Sequence, residues 1–324
     1  MRRYLTGRIL QAVSVVLLVT TLTFVLVHLA PGDPFTVALE QPGITAAVRQ
    51  EWRTSFGLDR PLGEQYVRWV VNSARGDFGY SYSQHRPVSA VMADAFPRTV
   101  LLAGLALAFS FALGVGTAVL QVERAGGPRD RWLGRVLLLL YSVPDFWLAL
   151  LALLLFAYRL PLFPPGGIVD PVLYDYLSPA ARIGDRLRHL VLPVVTLTLL
   201  STAIVARFQR AALAEVLPSD WMRTALAKGL GWRAAVRRHA LRNALLPTIA
   251  LAGLSLPTIA VGAVFVEKVF SWPGMGLVTV NAIGARDYPL ITAGVLLISV
   301  IVVIGALLAD VVVGFADPRV RLGR

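Results

Sequence analysis

Six stretches of this chain are each apolar for long enough to cross a bilayer as helix, a crossing that takes about 20 residues. They lie near residues 9–30, 100–122, 136–158, 190–206, 244–266 and 289–309. Among them they contain one acid, Asp145, and Arg159 and Arg207 stand just past two of their ends. The expected class is an all-α polytopic membrane protein with six transmembrane helices. Composition agrees: 56% of the 324 residues are hydrophobic and 15% charged, where a soluble domain carries about 25% charged residues. The stretch 190–206 is the shortest, with His189 and Arg207 expected at its two interfaces. The first stretch follows Arg2, Arg3 and Arg8 as a signal peptide would. Its apolar run is too long for such a peptide and no small-x-small site precedes Pro31, so it reads as a retained span.

The basic residues are distributed unevenly between the spans, and this sets an orientation. The amino terminus has three arginines and no acid. The gap between spans two and three has Arg124, Arg129, Arg131 and Arg135 against Glu123 and Asp130. The gap between spans four and five is richer still, and the tail holds Arg319, Arg321 and Arg324 against Asp317. Residues 31–98, by contrast, balance seven arginines with seven acids. Both termini and the basic gaps are therefore expected on the cytoplasmic side. The net charge of +12 comes from these gaps and forms no polar basic face, which excludes a nucleic-acid partner. The chain has no cysteine, and its four histidines, His28, His85, His189 and His239, never occur at metal-ligand spacing. No metal site is expected.

The loop 31–98 is too long for a mere connection. It has two amphipathic candidates, near 45–56 and 62–74, and in the second Leu62, Tyr66, Trp69 and Val70 share a face. Two readings fit: interfacial helices with Trp52 and Trp69 at headgroup level, or a cap over a translocation path that docks a soluble partner.

The segment 215–247, opening at Glu215, holds a short amphipathic helix. Ser219 is placed to cap it, with Asp220 in its first turn, where the positive helix end favours an acid. Trp221, Met222, Ala225, Leu226 and Leu230 fall on one face, and Arg223, Thr224 and Lys228 on the other. Gly229 stands where a left-handed residue ends a helix. A helix this short needs something to pack on. It lies on anionic headgroups or enters a groove of a partner protein. A second helical stretch, 232–246, leads to Pro247, with Trp232, Ala235, Val236, His239 and Asn243 on one face. His239 reads as an interhelical hydrogen-bonding residue, because no acid or nucleophile lies at helical reach of it. In the third span, Ser142, Pro144 and Asp145 are candidates for the lining of a translocation path. A lone carboxylate near mid-membrane is costly unless it faces a wet cavity or a partner, so Asp145 either lines the path or holds a structural hydrogen bond.

The stretch DWMRTALAKGLGWRAAVRRHALRNALLP (220–247) resembles the EAA loop of ABC importer permeases, in the form found in dipeptide, oligopeptide and nickel systems. The opening Glu-Ala-Ala reads Arg223-Thr224-Ala225 here, and Gly229 matches. The likeness extends through VHLAPGDP (27–34), FGLDRPLGEQYVRW (56–69), GDFGYS (76–81), RPVSAVMADAFPRT (86–99), YSVPDFW (141–147), VEKVFSWPGMG (266–276), RDYPL (286–290) and DPRVRL (317–322). These look like the B-type member of the permease pair. Asp145 departs from the small or polar residue expected at its place, and VVVGFADPR is less aromatic than usual.

The resemblance implies the architecture of a type I ABC importer permease. Residues 1–98 would be a first helix with an extracytoplasmic loop, and 99–324 a core of five spans with its coupling loop at 213–246. It implies a bacterial or archaeal cytoplasmic membrane and a second, similar permease. It also implies two cytoplasmic ATPases that bind ATP and Mg, and an extracytoplasmic solute-binding protein. The chain would bind no cofactor and would not be an enzyme: it has no phosphate loop of the G-x-x-x-x-G-K-[ST] kind. Di- and oligopeptides are the expected cargo; nickel complexes, glutathione and glycosides are cargoes of the same branch. An ion-coupled secondary transporter is the competing class. It would need paired intramembrane charges, where this chain has Asp145 deep in a span and Asp310 close to an interface.

Overall fold

The computed structural model describes residues 2–29, 54 and 59–316, with the side chains of 2–5, 250, 254, 256–262 and 308–316 excepted. The amphipathic candidate at 45–56 lies outside the described residues except for Thr54. So do Trp52, residues 30–34 and 56–58 of the two early motifs, the closing motif at 317–322 and the side chain of Asp310. The described chain is mostly helical, in two compact units: Met1–Arg98 with Gly274–Val303, and Thr99–Pro273 with Ile304–Arg324.

The first unit begins with α1 (Arg2–Leu29) and α2 (Leu62–Ala74). The face expected on α2 packs against α1. Tyr66 Oη and Thr21 Oγ1 are 2.6 Å apart, and the Phe24 ring lies 5.3 Å from that of Tyr66 and 5.8 Å from that of Trp69. Leu62 is the exception and stays exposed. A two-residue hairpin, β1 (Tyr80–Ser81) and β2 (Arg86–Pro87), follows, and α3 (Val88–Val122) starts directly from it. Val88, Val91, Met92 and Ala95 of α3 pack with Met275 and Ala282 of α10 (Met275–Gly284) and with Leu290, Ile291 and Ala293 of α11 (Tyr288–Ala316). A Cβ at Gly294 would stand 2.8 Å from Thr279 Oγ1, so glycine there lets α10 and α11 approach closely.

The second unit is built on α6 (Pro179–Val216), the longest helix described at 38 residues. Its Leu190, Leu192, Val194 and Leu197 share a core with Leu102, Ala103 and Ala106 of α3 and with Ala149, Ala263 and Val266. Gly114 of α3 meets α6 with no room for a side chain: a Cβ would fall 2.7 Å from Val205 Cβ. His189 is buried on α6, with its Nδ1 2.9 Å from the Asp185 carbonyl.

The third expected span is not one straight helix. It is α4 (Pro128–Ser142) and α5 (Asp145–Leu153), with a π turn Leu154–Arg159 extending α5, and the two arms are bent by 102°. Pro144 is the cause. A proline pushes its predecessor out of the helical region, and Val143 is extended at φ −84° and ψ 131°. The Pro144 carbonyl then starts a new helix by accepting from Trp147 N and Leu148 N, both at 3.1 Å.

Beyond this bend come α7 (Asp220–Ala227), the single turn α8 (Trp232–Ala235) with a π turn Val236–Ala240, and α9 (Leu241–Val269). Among the described residues four helices are long and apolar enough to cross a membrane, or five if the bent pair counts as one span. The fifth expected span falls within α9, where several side chains lie outside the described set.

Candidate functional site

The segment singled out by its sequence is a short helix held between two long ones. α6 ends at Val216, and Pro218 stops it. Ser219 takes the N-cap position in an extended conformation, φ −65° and ψ 150°. Its hydroxyl does not cap α7, however: Ser219 Oγ donates backward to the Val216 carbonyl at 2.7 Å. The first turn of α7 rests instead on the Ser219 carbonyl, which accepts from Met222 N and Arg223 N at 3.1 and 3.2 Å, and on Asp220 beside the helix dipole.

The far end closes as expected. Gly229 has φ +86°, a region that costs a residue with Cβ but not glycine. Leu230 N donates to the Ala225 carbonyl at 3.2 Å and Gly229 N to the Leu226 carbonyl at 2.9 Å. That pair of bonds is the Schellman motif.

The single apolar face expected on α7 is divided between two directions. Met222 is 1% exposed and joins a core with Val119, Val122, Leu213, Ala235, Val236 and Ala240, against which Leu230 also packs. Trp221 and Leu226 remain 40% and 37% exposed. Helical periodicity groups these residues because they lie within a half-turn of one another. It does not say that the helix seats itself through Met222 and leaves Trp221 and Leu226 outward.

Trp221 lines a concavity of about 530 Å³ together with Thr224, Ala225, Lys228, Gly229, Leu230 and His239. Arg223 and Asp220 of α7 are 3.6 Å apart with side chains 75% and 97% exposed, a pairing worth little in water. Glu215 is exposed on the last turn of α6. The face expected over 232–246 is also redistributed. Ala235, Val236, Ala240 and Ala244 are buried, while Trp232, His239 and Asn243 are exposed. The π turn Val236–Ala240 explains the shift of the later positions, from His239 and Asn243 to Ala240 and Ala244, because its wider loop inserts one residue into the 3.6-residue repeat. Trp232 precedes it and is exposed independently of it. The ring of His239 lines the concavity and does not bridge two helices. Asn243 Nδ2 donates to the His239 carbonyl at 3.1 Å.

The third-span residues form a second group. Ser142 ends α4 with its hydroxyl donating to the Leu138 carbonyl at 2.9 Å. Pro144 is the N-cap of α5, and Asp145 is its first residue and half-buried. The guanidinium of Arg207 lies 4.9 Å from the Tyr141 ring, and that of Arg210 reaches Asp130 at 3.0 Å. Between these two contacts Leu137 of α4 packs on Ala203 and Ala206 of α6. Asp145 follows the bend at Val143–Pro144, so it opens a new helix and does not lie inside a straight one.

Among the described residues no group of three or more His, Asp or Glu could hold a metal ion.

Comparison with known proteins assigns the family. Residues 110–322 match the family described as the binding-protein-dependent transport system inner membrane component. Residues 1–103 match the N-terminal domain of the same kind of membrane component. The chain is 37% identical over 317 residues to the di/tripeptide transport system permease protein DppB of Pseudomonas aeruginosa, covering 94% of each chain. It is 34% identical over 322 residues to the oligopeptide transport system permease protein AppB of Bacillus subtilis, covering 99% of this chain and all of that one. With the dipeptide transport system permease protein DppB of Escherichia coli K12 the identity is 33% over 318 residues, again 94% of each. This chain belongs to the family of inner-membrane components of binding-protein-dependent transport systems: it is a multi-pass membrane permease subunit of an ABC transporter, and not an enzyme.

Proposed function

We propose that the chain carries di- and oligopeptides inward as one of two permease subunits, and that α7 is where the ATPases push. The observation that carries this reading is the divided face of α7. Met222 seats the helix in the chain's own core, while Trp221 and Leu226 are left outward and Trp221 lines a concavity with Lys228. An amphipathic helix presented in this way suits helix-in-groove recognition by a partner. The relatives named for dipeptide, di/tripeptide and oligopeptide transport support peptides as cargo. The partners are a second permease, two ATPases that bind ATP and Mg, and a solute-binding protein on the outside. Six spans are completed by α1, α3, the bent α4–α5 pair, α6, α9 and α11.

The test is reconstitution of the whole assembly in liposomes with its binding protein. Dipeptide-loaded and oligopeptide-loaded binding protein is expected to raise ATP hydrolysis several-fold. Stimulation by a nickel complex, glutathione or a glycoside, with none by peptides, would overturn the cargo and leave the permease reading standing.

The orientation is open to a direct test, because the natural chain has no cysteine. Gln84→Cys and Tyr176→Cys are expected to react with a membrane-impermeant maleimide in intact cells, and Ala125→Cys only after lysis. External labelling of Ala125→Cys would invert the topology.

For Asp145 the proposal is a place in the wall of the path. Asp145→Asn should leave assembly intact and lower the uptake of cationic peptides relative to neutral ones by about tenfold, the value of one charge-assisted contact of about 1.4 kcal/mol. Equal uptake ratios in the two proteins would leave Asp145 only its place in the first turn of α5.

A further inference from the structure

The turn that joins α3 to α4 is tied by ion pairs to both flanks of α7. Asp130 is 4% exposed, and its two oxygens are occupied from three sides. Oδ2 accepts from Gly126 N and from Arg210 Nη2, both at 3.0 Å, and Oδ1 accepts from Gln121 Nε2 at 3.1 Å. The carboxylate thus closes residues 121–130 into one rigid loop, and Gly126 at φ +77° supplies its reversal. Glu123 lies in the same loop. Its side chain is 6% exposed and accepts from Arg237 Nε at 2.6 Å.

The two arginines come from opposite sides of the coupling helix. Arg210 lies on α6, ten residues before α7 begins, and Arg237 lies on the π turn that follows it. Both arginine side chains are substantially exposed, 43% and 59%, whereas both carboxylates are buried. A buried carboxylate that loses its cation is left with an uncompensated charge, so the loop has a strong preference for keeping both partners.

We infer that residues 121–130 are a second coupling element: the Arg210–Asp130 and Arg237–Glu123 pairs make this loop follow α7, so a displacement imposed on α7 reaches the end of α3. The four residues are positioning residues; none touches cargo or nucleotide. The inference rests on the reading of α7 as the ATPase contact, and the experiment separates the two.

Amide hydrogen exchange is measured on the complete assembly, with and without vanadate trapping of the ATPases. In the native protein, trapping should change exchange in α7 and, by about fivefold, in residues 121–130. In the Arg210→Gln/Arg237→Gln double variant the change in α7 should persist and that in 121–130 should vanish. The conservative Arg237→Lys variant, which keeps the charge, should retain most of it. A purely structural role would alter the resting exchange of the loop in every variant without touching its response to trapping. An equal response of the loop in native and double-variant assemblies overturns the inference. Absence of any response in α7 itself overturns the reading on which it rests. In the double variant Asp130 keeps its bonds from Gly126 N and Gln121 Nε2, so the expected loss is confined to the loop, and a melting temperature close to native checks that the subunit as a whole stays folded.

Discussion

Trp221→Ala is expected to release the ATPase subunits from the purified assembly while the chain still inserts and pairs with the second permease. The ring is 40% exposed in the subunit alone, so its removal takes little from the chain's own core, which Met222 holds together. In the assembly the same ring is the largest apolar group that α7 offers. Truncation of a buried aromatic anchor costs about 2–4 kcal/mol of binding, which weakens the contact by roughly 30- to 1,000-fold.

A change at Gly229 acts differently. A Cβ there would meet nothing within 4 Å, so crowding plays no part. The cost lies in the backbone, because a β-branched residue is a genuine outlier at positive φ. Gly229→Val should undo the Schellman closure and misdirect α7 without removing its contact residues. ATPases should then stay bound, but hydrolysis should be poorly coupled to uptake. Co-purification stoichiometry and the ratio of ATP hydrolysed to peptide imported measure the two effects. If both variants bind ATPases and transport as the native protein does, α7 is an anchor on anionic headgroups.

The contrast between these two sites shows what a sequence pattern can carry. Gly229 is legible because the need for it is local: a helix end, an apolar residue after it, and a residue type that tolerates positive φ. The division of the α7 face is not legible, because the partners of Met222 include Val119 and Leu213, which no periodicity connects to it. The span 136–158 illustrates a second limit. Hydropathy reads straight through Pro144 because both arms are apolar, while Pro97 and Pro193 lie inside α3 and α6 without breaking them. What distinguishes Pro144 is an extended Val143 before it and an acid after it that suits a new helix start. The face drawn over 232–246 failed for a related reason: a π turn shifts the phase of everything that follows. The ion pairs of the 121–130 loop were visible only as charges to be counted.

Asp287 is the residue whose removal should cost the first unit most. It is completely buried, and its carboxylate gathers four donors. Ser81 Oγ at 2.5 Å, Ser83 N at 2.9 Å and Ser83 Oγ at 2.8 Å all reach Oδ2, and Leu290 N reaches Oδ1 at 3.2 Å. The first three fasten the hairpin Tyr80–Pro87 to a residue some 200 positions later in the chain. The fourth caps α11 in the manner of an N-terminal aspartate. Asp287→Ala strands a backbone N–H in the hairpin, another at the helix start and two hydroxyls. Donors to a charged acceptor are worth more than neutral ones, so a loss of about 3–5 kcal/mol is expected. Asp287→Asn keeps the shape and one acceptor oxygen and should recover part of it. Hydrogen exchange at residues 80–87 reads the loss directly, and Tyr82 gives an independent signal. Burial pushes the Tyr82 phenol well above the ordinary tyrosine range, and the negative charge of Asp287 pushes it further in the same direction. Taking that charge away should lower the pH at which Tyr82 ionises, visible as a shift in its ultraviolet absorbance titration, while burial keeps it above a free tyrosine. Unchanged hairpin protection together with an unchanged Tyr82 titration in Asp287→Ala would mean that the apolar packing of Val88, Val91 and Leu290 holds the hairpin without the carboxylate.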